Sequence, residues 1–372
     1  MRRHQDFSPA SSRPGPAVES SFFSDETPED SWDHAGTMPD PSPGELRPPN
    51  SRTPLRRTLV LAGGLFLLGA WAGGLAGLLG SWFWFLDLFS HWPAAYLPVS
   101  SAGGVLLYLG RARRTALLAL PPLAWNLFLL APWYLPSPVP PPSGKTRVFR
   151  ALSCNLYGGN RNKKVFLALV RKERPDLLGL MEVTPSWWKA IEPLFGDYPF
   201  RIARPRPGVF GIALLSRHPL KESEVISLGA AGVPSVTAVL HWKGSSLRVL
   251  VTHPPPPIGA WNAFSRDSQL QAVGTYFQAH PGPAILLGDL NASMWSAPYR
   301  EMAAAAGLRN ARISFGILPT WPTFLPSFLR IPLDHCLLRG PLQVLRCRTG
   351  PPMGSDHLPL LVDLAIPLPE NR

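Results

Sequence analysis

The run Ala284-Ile-Leu-Leu-Gly-Asp-Leu-Asn-Ala292 decides how this chain is read. Four apolar residues stopped by Gly288 are too short for a helix and describe a buried strand. The strand ends at once on a carboxylate, Asp289, with a carboxamide, Asn291, two residues on. Strand ends are where a rigid scaffold presents polar groups to a shared cleft. The same arrangement recurs along the chain: Leu152–Asn155 ends on Asn155, Leu177–Glu182 on Glu182, and Val249–His253 on His253. Asp334 opens Asp-His-Cys-Leu-Leu338, and Asp356 and His357 precede Leu358-Pro-Leu-Leu361.

These residue types belong to one chemistry. Glu and Asp are hard oxygen ligands suited to Mg²⁺ or Mn²⁺. An Asp–His pair holds a protonated imidazole that binds an anion or stabilises developing charge. An Asp beside an Asn orients and deprotonates a water. Together they describe in-line hydrolysis of a phosphate ester. Neither GxSxG nor GxxxxGK[ST] occurs, so a serine nucleophile elbow and a P-loop are not indicated.

Around these strand ends, strands and helices alternate. Val148–Leu156, Asp176–Val183, Val209–Ser216, Leu333–Leu338 and Leu358–Asp363 read as strands, Lys163–Lys172 and Trp261–Gln278 as helices. Val236–Trp242 and Leu247–His253 form an antiparallel pair around Lys243-Gly244. Mixed order with hairpins predicts two packed sheets with helices outside.

Seven blocks carry a resemblance: Ser153-Cys-Asn-Leu-Tyr-Gly158, Leu180-Met-Glu-Val183, Leu214-Leu-Ser-Arg-His-Pro219, Val251-Thr-His253, Gly288-Asp-Leu-Asn-Ala292, Leu333-Asp-His-Cys-Leu-Leu338 and Gly354-Ser-Asp-His-Leu-Pro359. In this order they resemble the endonuclease/exonuclease/phosphatase superfamily, in a membrane-anchored bacterial form. The resemblance covers about Thr146–Ile366. It implies a four-layer α/β sandwich of the DNase I type. It also implies that Glu182 and Asn155 hold the metal with Asp356 on the metal side, and that Asp289 activates the attacking water. Asn291 would position water and phosphate, His253 and His357 would contact phosphate oxygens, and Asp334 would orient His357. Tyr157 departs from the acidic residue that the nuclease branch often has there. That speaks against a second metal and against abasic-site nuclease activity. Trp321, in Pro-Thr-Trp-Pro, and Arg206, in a Pro-rich loop, are candidates for substrate contact; His218, His241 and His335 read as structural. Cys154 and Cys336 read as inert strand residues, with Cys347 nearer the surface.

Composition places this body in context. Of 372 residues only 16% are charged, against about 25% in an average soluble domain, and Pro is unusually frequent at 45 residues. The formal net charge of +12 is unevenly spread. Residues 1–51 hold four Arg against nine Asp and Glu and show no apolar periodicity, so they read as a disordered acidic tail. Residues 52–135 read as a membrane region with three spans, about 58–80, 93–110 and 115–135. Arg52, Arg56 and Arg57 precede the first span, and Arg111, Arg113 and Arg114 lie between the second and third. Both clusters belong on the cytoplasmic side, which puts residues 146–372, the catalytic domain, on the periplasmic or extracellular side of the cytoplasmic membrane. Trp82, Trp84, Trp92, Trp133 and Tyr134 then fall at the outer interface. The Pro-rich linker 136–145 predicts a polyproline spacer that holds the body off the bilayer.

The reading is a membrane-anchored, metal-dependent phosphodiesterase acting on nucleic acid, a lipid headgroup or another phosphodiester, beside membrane lipid. One alternative is a phosphomonoesterase acting on a phosphorylated lipid or sugar. The other is a catalytically silent membrane protein that binds anionic ligands.

Overall fold

A computed structural model describes residues 52–136 and 146–367. The acidic tail and most of the Pro-rich linker, 137–145, lie outside the described residues. The described residues begin with α1 (Arg52–Leu78), the short α2 (Trp84–Asp87), α3 (Pro93–Leu109), α4 (Arg113–Ala116) and α5 (Leu120–Tyr134). The body follows with β1 (Thr146–Asn155), α6 (Lys163–Glu173), β2 (Leu177–Met181), α7 (Pro185–Ile191), β3 (Phe200–Arg204), β4 (Ile212–Ser216) and β5 (Leu220–Ser227). Next come β6 (Pro234–Trp242), β7 (Ser245–Val251), α8 (Ala260–Ala279), β8 (Ala284–Asp289), α9 (Ala297–Ala306), β9 (Arg309–Asn310), β10 (Asp334–Arg339), β11 (Gln343–Thr349) and β12 (Leu360–Pro367).

The strands form two six-stranded sheets, ordered β11-β12-β1-β2-β4-β3 and β5-β6-β7-β8-β10-β9. Side-chain alternation builds four layers. Phe149 and Ala151 of β1 point with Ile285 and Leu287 of β8 into the core between the sheets. Their neighbours Leu152 and Cys154 face α6 and α7 through Phe166, Leu169 and Trp187. On the far side, Ala284 and Leu286 face α8 and α9 through Leu270, Phe277 and Met302. The expected sandwich is the observed one. The three cysteines are free and buried, Cys347 included, which corrects its expected place near the surface.

Two helical stretches, Thr53–Leu78 and Arg113–Tyr134, are long and apolar enough to cross a membrane by length and composition; α3 is shorter. α1 and α3 run antiparallel. A Cβ on Gly63 would meet Gly103 O at 2.9 Å, and one on Gly73 would meet the Tyr96 ring at 2.5 Å. Glycine therefore sets how closely these helices approach, as small residues do in membrane bundles. At the far end Arg56 Nε donates to Gly110 O, 2.8 Å, so the first arginine cluster reaches the end of α3, where the second begins.

The body is not held away from these helices, contrary to the spacer expected from the Pro-rich linker. Leu130 of α5 belongs to the same buried cluster as Leu286 and Trp295, with Ala94, Leu97 and Trp133 packed against it. Gly316 N–H donates to Trp133 O at 2.6 Å, and Trp295 Nε1–H to Leu129 O at 3.2 Å. Burial of apolar surface decides where the body sits.

Candidate active site

Strand register assembles the site. β1 and β2 are parallel with Asn155 opposite Met181, which sets Asn155 beside the next residue, Glu182. β7 and β8 are parallel with Val251 opposite Leu287, so His253 and Asp289, two residues on, leave the sheet together. β8 and β10 are antiparallel with Asp289 directly opposite Asp334. Two facing carboxylates repel unless something lies between them, and His357 does. Its Nδ1 is 2.8 Å from Asp334 Oδ2 and its Nε2 is 3.5 Å from Asp289 Oδ2.

Asp289 is the hub. Its Oδ2 accepts from Asn155 Nδ2 at 3.0 Å and lies 3.4 Å from His253 Nε2; its Oδ1 accepts Asn291 N–H at 3.0 Å. The same Asn155 amide group donates to Glu182 Oε1, 3.1 Å, and Gly158 N–H donates to Glu182 Oε2, 2.8 Å. Asn291 Nδ2 donates to Pro254 O at 2.9 Å and lies 3.3 Å from His253 Nε2. Glu182 and Asn291 both have positive φ, 56° and 48°. Non-glycine residues adopt that conformation only where the surroundings over-determine it. Asp356 accepts from Trp321 Nε1 at 3.2 Å, and the Trp321 ring centre is 6.3 Å from that of His357. Arg206 sits on the rim: its N–H donates to Val183 O beside Glu182, and its side chain is exposed. His218 is turned away and pairs with Asp176 at 2.8 Å.

The charges interlock. Burial alone would lower the His357 pKa, but Asp334 and Asp289 outweigh it and push it up to about 10. Burial likewise opposes His253, whose pKa is nevertheless raised by its hydrogen bond to Asp289 and by the charges of Asp289 and Glu182. Burial would raise Asp289, yet His357, His253 and the Asn155 amide hold it well below the usual carboxylate range. The centre therefore has an ionised carboxylate flanked by two imidazoles that favour their charged form.

The donor set suits a hard divalent cation. Four carboxylates, Glu182, Asp289, Asp334 and Asp356, gather around two imidazoles. The Oδ1 atoms of Asp334 and Asp356 are buried without a hydrogen-bond partner. Glu182 accepts only neutral N–H donors among its hydrogen bonds, leaving its charge to be balanced from the open side. Candidate ligand atoms of Asp289, Asp334 and His357 also lie within 4.8 Å of one another. The His357–Asp334 and His357–Asp289 contacts already engage that second group, and Glu182 with Asn155 is a further set that could hold a cation.

Sequence reasoning missed three contributors. Ser355 Oγ donates to Asn155 O at 2.8 Å and accepts His357 N–H at 3.1 Å, tying the two halves together. Arg266 of α8, fully buried, donates to Asn291 O at 3.3 Å and to Asp87 Oδ2 at 3.0 Å. Asp87, from the helical region, also accepts Ser296 Oγ–H at 2.7 Å and Ala297 N–H at 3.0 Å, and His91 Nδ1 lies 2.8 Å from Ser293 Oγ. One signal was on the page: Asp87 is the lone acid in residues 52–145.

Comparison with known proteins agrees with this geometry. Among solved structures, the Bacteroides vulgatus endonuclease/exonuclease/phosphatase superposes with a TM-score of 0.52 at 17% identity, over 59% of this chain and 98% of that one. D. rerio TDP2, complexed with a single-strand DNA product, gives 0.51 at 18% identity, over 58% and 98%. These likenesses concern the fold. The UPF0294 protein VV2535 of Vibrio vulnificus (strain YJ016) is 32% identical over 108 residues, 29% of this chain; the match spans only 36% of that relative's length. The sequence profile of the Endonuclease/Exonuclease/phosphatase family matches residues 152–357, more than half of the chain and every strand end described above. The chain belongs to that family, whose members are metal-dependent phosphoesterases.

Proposed function

We propose that this protein is a membrane-anchored, Mg²⁺- or Mn²⁺-dependent phosphodiesterase that hydrolyses its substrate by in-line attack of water. The observation that carries the reading is the convergence of Asn155, His253 and His357 on one oxygen of Asp289, with Glu182 one hydrogen bond away. Glu182 and Asn155, with Asp356 nearby, would hold the cation. When bound, it supplies Lewis-acid polarisation of a phosphoryl oxygen. Asp289, kept ionised, orients the attacking water and accepts its proton as the new P–O bond forms. Asn291 fixes water and phosphate, its backbone clamped by Asp289 and Arg266. His253 and His357, positively charged, compensate the charge that grows on the equatorial phosphoryl oxygens. Asp334 orients His357 through Nδ1. Trp321 and Arg206 flank the entrance as substrate contacts.

The chain divides in this proposal into a tail (1–51), a membrane region (52–135), a linker (136–145) and the catalytic domain (146–372). α1, α3 and the stretch 113–134 would cross the membrane, with both arginine clusters cytoplasmic and the body outside. The antiparallel packing of α1 on α3 supports this, since it gathers both clusters at the end of the bundle away from the body.

The test uses the full-length protein in nanodiscs. Bis-aryl phosphate is expected to be cleaved with Mg²⁺ and not with EDTA, and mono-aryl phosphate far more slowly. Cleavage of the monoester alone would shift the assignment to a phosphomonoesterase. No turnover of either by folded protein would leave the silent binder.

A further inference from the structure

Both loops that bound the site run outward from it to the helical region, and both expose large apolar side chains. The first leaves His253 through Pro254–Pro257 and enters α8. On it Ile258 is 77% exposed, Trp261 66% and Phe264 56%. Trp261 and Phe264, three residues apart on α8, share one face, their ring centres 5.7 Å apart. Half a turn further on, Arg266 is locked to Asp87, so this face is fixed relative to the helical region. The second loop leaves Trp321 and returns at Asp334. It exposes Phe324 at 79% and Phe328 at 62%, and its short helical turn, Ser327–Leu329, lies against α3. Arg330 stiffens it by donating to Leu325 O and Thr323 O, while Thr323 N–H donates to Asp356 O inside the site. The α1–α2 turn, which leads into the α2 that contacts α8, exposes Trp82 and Phe83.

We infer that these rim residues sit in the surface of the bilayer that the helices cross, so that the substrate is a lipid-borne phosphodiester drawn from the outer leaflet. The inference rests on the phosphodiesterase reading. Exposed apolar clusters of this size mark an interaction surface. Continuity with the helical region names the occupant: each rim loop ends on an element docked against α2 or α3, and a bilayer spanned by those helices lies at the same level. Indole and phenyl rings are the side chains that favour the headgroup boundary. A nucleic-acid groove would instead need basic residues interleaved with the rings. The five rim residues are uncharged; Arg330 of the second loop is occupied by backbone carbonyls, and the exposed Arg206, beside Val183, lies on neither loop. The chemistry is the same hydrolysis. Water bonds to phosphorus, one ester P–O bond breaks and the leaving alcohol takes a proton, giving one phosphomonoester and one alcohol.

The experiment compares full-length wild type with Ile258→Ser/Trp261→Ser/Phe264→Ser and with Phe324→Ser/Phe328→Ser, all in nanodiscs of phosphatidylcholine and phosphatidylglycerol. Headgroup loss is followed by mass spectrometry, and bis-aryl phosphate hydrolysis in the same samples reports the intact site. Withdrawing these rings and the branched chain from an apolar phase weakens the hold on the bilayer, so the variants should turn over lipid at least about tenfold more slowly. Bis-aryl phosphate turnover should change less than about twofold, since a tenfold change would need about 1.4 kcal/mol at the site itself. In parallel, brominated lipid should quench wild-type fluorescence more than that of Trp261→Phe. Lipid turnover unaffected by the rim variants, no lipid turnover beside active bis-aryl phosphate hydrolysis, or faster cleavage of a single-stranded oligonucleotide than of lipid would overturn the inference and leave the phosphodiesterase intact. Failure of wild type on every diester would overturn both.

Discussion

Two helices follow the two halves of the site, and they are capped in opposite ways. α7 starts three residues after Glu182, and its cap is local: Thr184 Oγ1 accepts Trp187 N–H at 3.2 Å. α9 starts after the Asp289–Asn291 turn. Its first N–H goes to Asp87, 210 residues away in the helical region, and Ser296 at the cap position gives its own hydroxyl to the same carboxylate. A carboxylate at a helix N-terminus satisfies orphan donors and meets the positive end of the dipole wherever it comes from in sequence. The Glu182 half is thus complete within the catalytic body, whereas the turn that carries Asp289 and Asn291 is braced by the helices. In this protein the helical region is part of the site's scaffold.

The comparison breaks most visibly at the brace. Asp87→Ala removes the buried partner of the Arg266 guanidinium and leaves it only the partly exposed Asp267, 2.7 Å from Nε; losing one partner of a buried pair costs about 3–5 kcal/mol, and Asp267 offsets part of that. The unfolding temperature in nanodiscs should fall sharply and bis-aryl phosphate activity with it. Asp87→Leu/Arg266→Met should recover much of the stability, because no charge is then stranded. A single variant as stable as wild type would show that the two regions are not coupled.

Next in size is the chemistry itself. Glu182→Ala and His357→Ala should each lower Mg²⁺-dependent turnover by about a hundredfold to a thousandfold. Glu182→Ala should not move the unfolding temperature as far as Asp87→Ala does. Activity unchanged in both would sink the roles assigned to Asn155, Glu182, Asp289 and His357.

A third effect appears as a pH dependence of the metal-free protein. His357 has a folded pKa raised from 6.5 to about 10, so the stability it contributes is fully present below the unfolded pKa. That contribution is lost as pH rises from about 6.5 through about 10. Asp334→Asn should lower the imidazole's pKa and flatten this stretch of the stability profile. Nitrogen-15 NMR of His357 in EDTA would show whether the ring stays charged past neutrality; a wild-type ring already neutral at pH 7 would refute the Asp334 role.

The smallest effect belongs to the local cap. Thr184→Ala should cost about 1 kcal/mol, a few degrees in unfolding temperature, with turnover nearly intact. A loss of activity on the scale of Glu182→Ala would mean that the Glu182 half also depends on its helix to stay in register.

The positions of the site residues were legible because each sits at the end of an apolar strand, and period-two burial writes itself into sequence: Leu152, Cys154, Leu178 and Leu180 face one way, Ala151, Leu177 and Met181 the other. β3, β5, β9, β11, α7 and α9 are not legible in this way, for the converse reason. β5 is mostly exposed along Lys221-Glu-Ser-Glu224, and α9 is dominated by alanines, so neither shows a strong apolar period. Ser355 was invisible because a serine in a loop is common, and only the pairing of Asn155 O with His357 N–H gives it a task.

By itself, the amino-acid sequence determined the four-layer body, the identity of the polar strand-end residues and the apolar helices that precede them. These follow from local periodicity and from the few residue types able to handle a phosphate ester. Tertiary structure alone decided that Asp289 is the shared acceptor, that Arg266 and Asp87 meet out of water, and that Trp261 and Phe324 are left exposed on the rim beside the helices. Those facts depend on which distant segments bury one another's charge and apolar surface, and residue spacing along the chain carries no record of that choice.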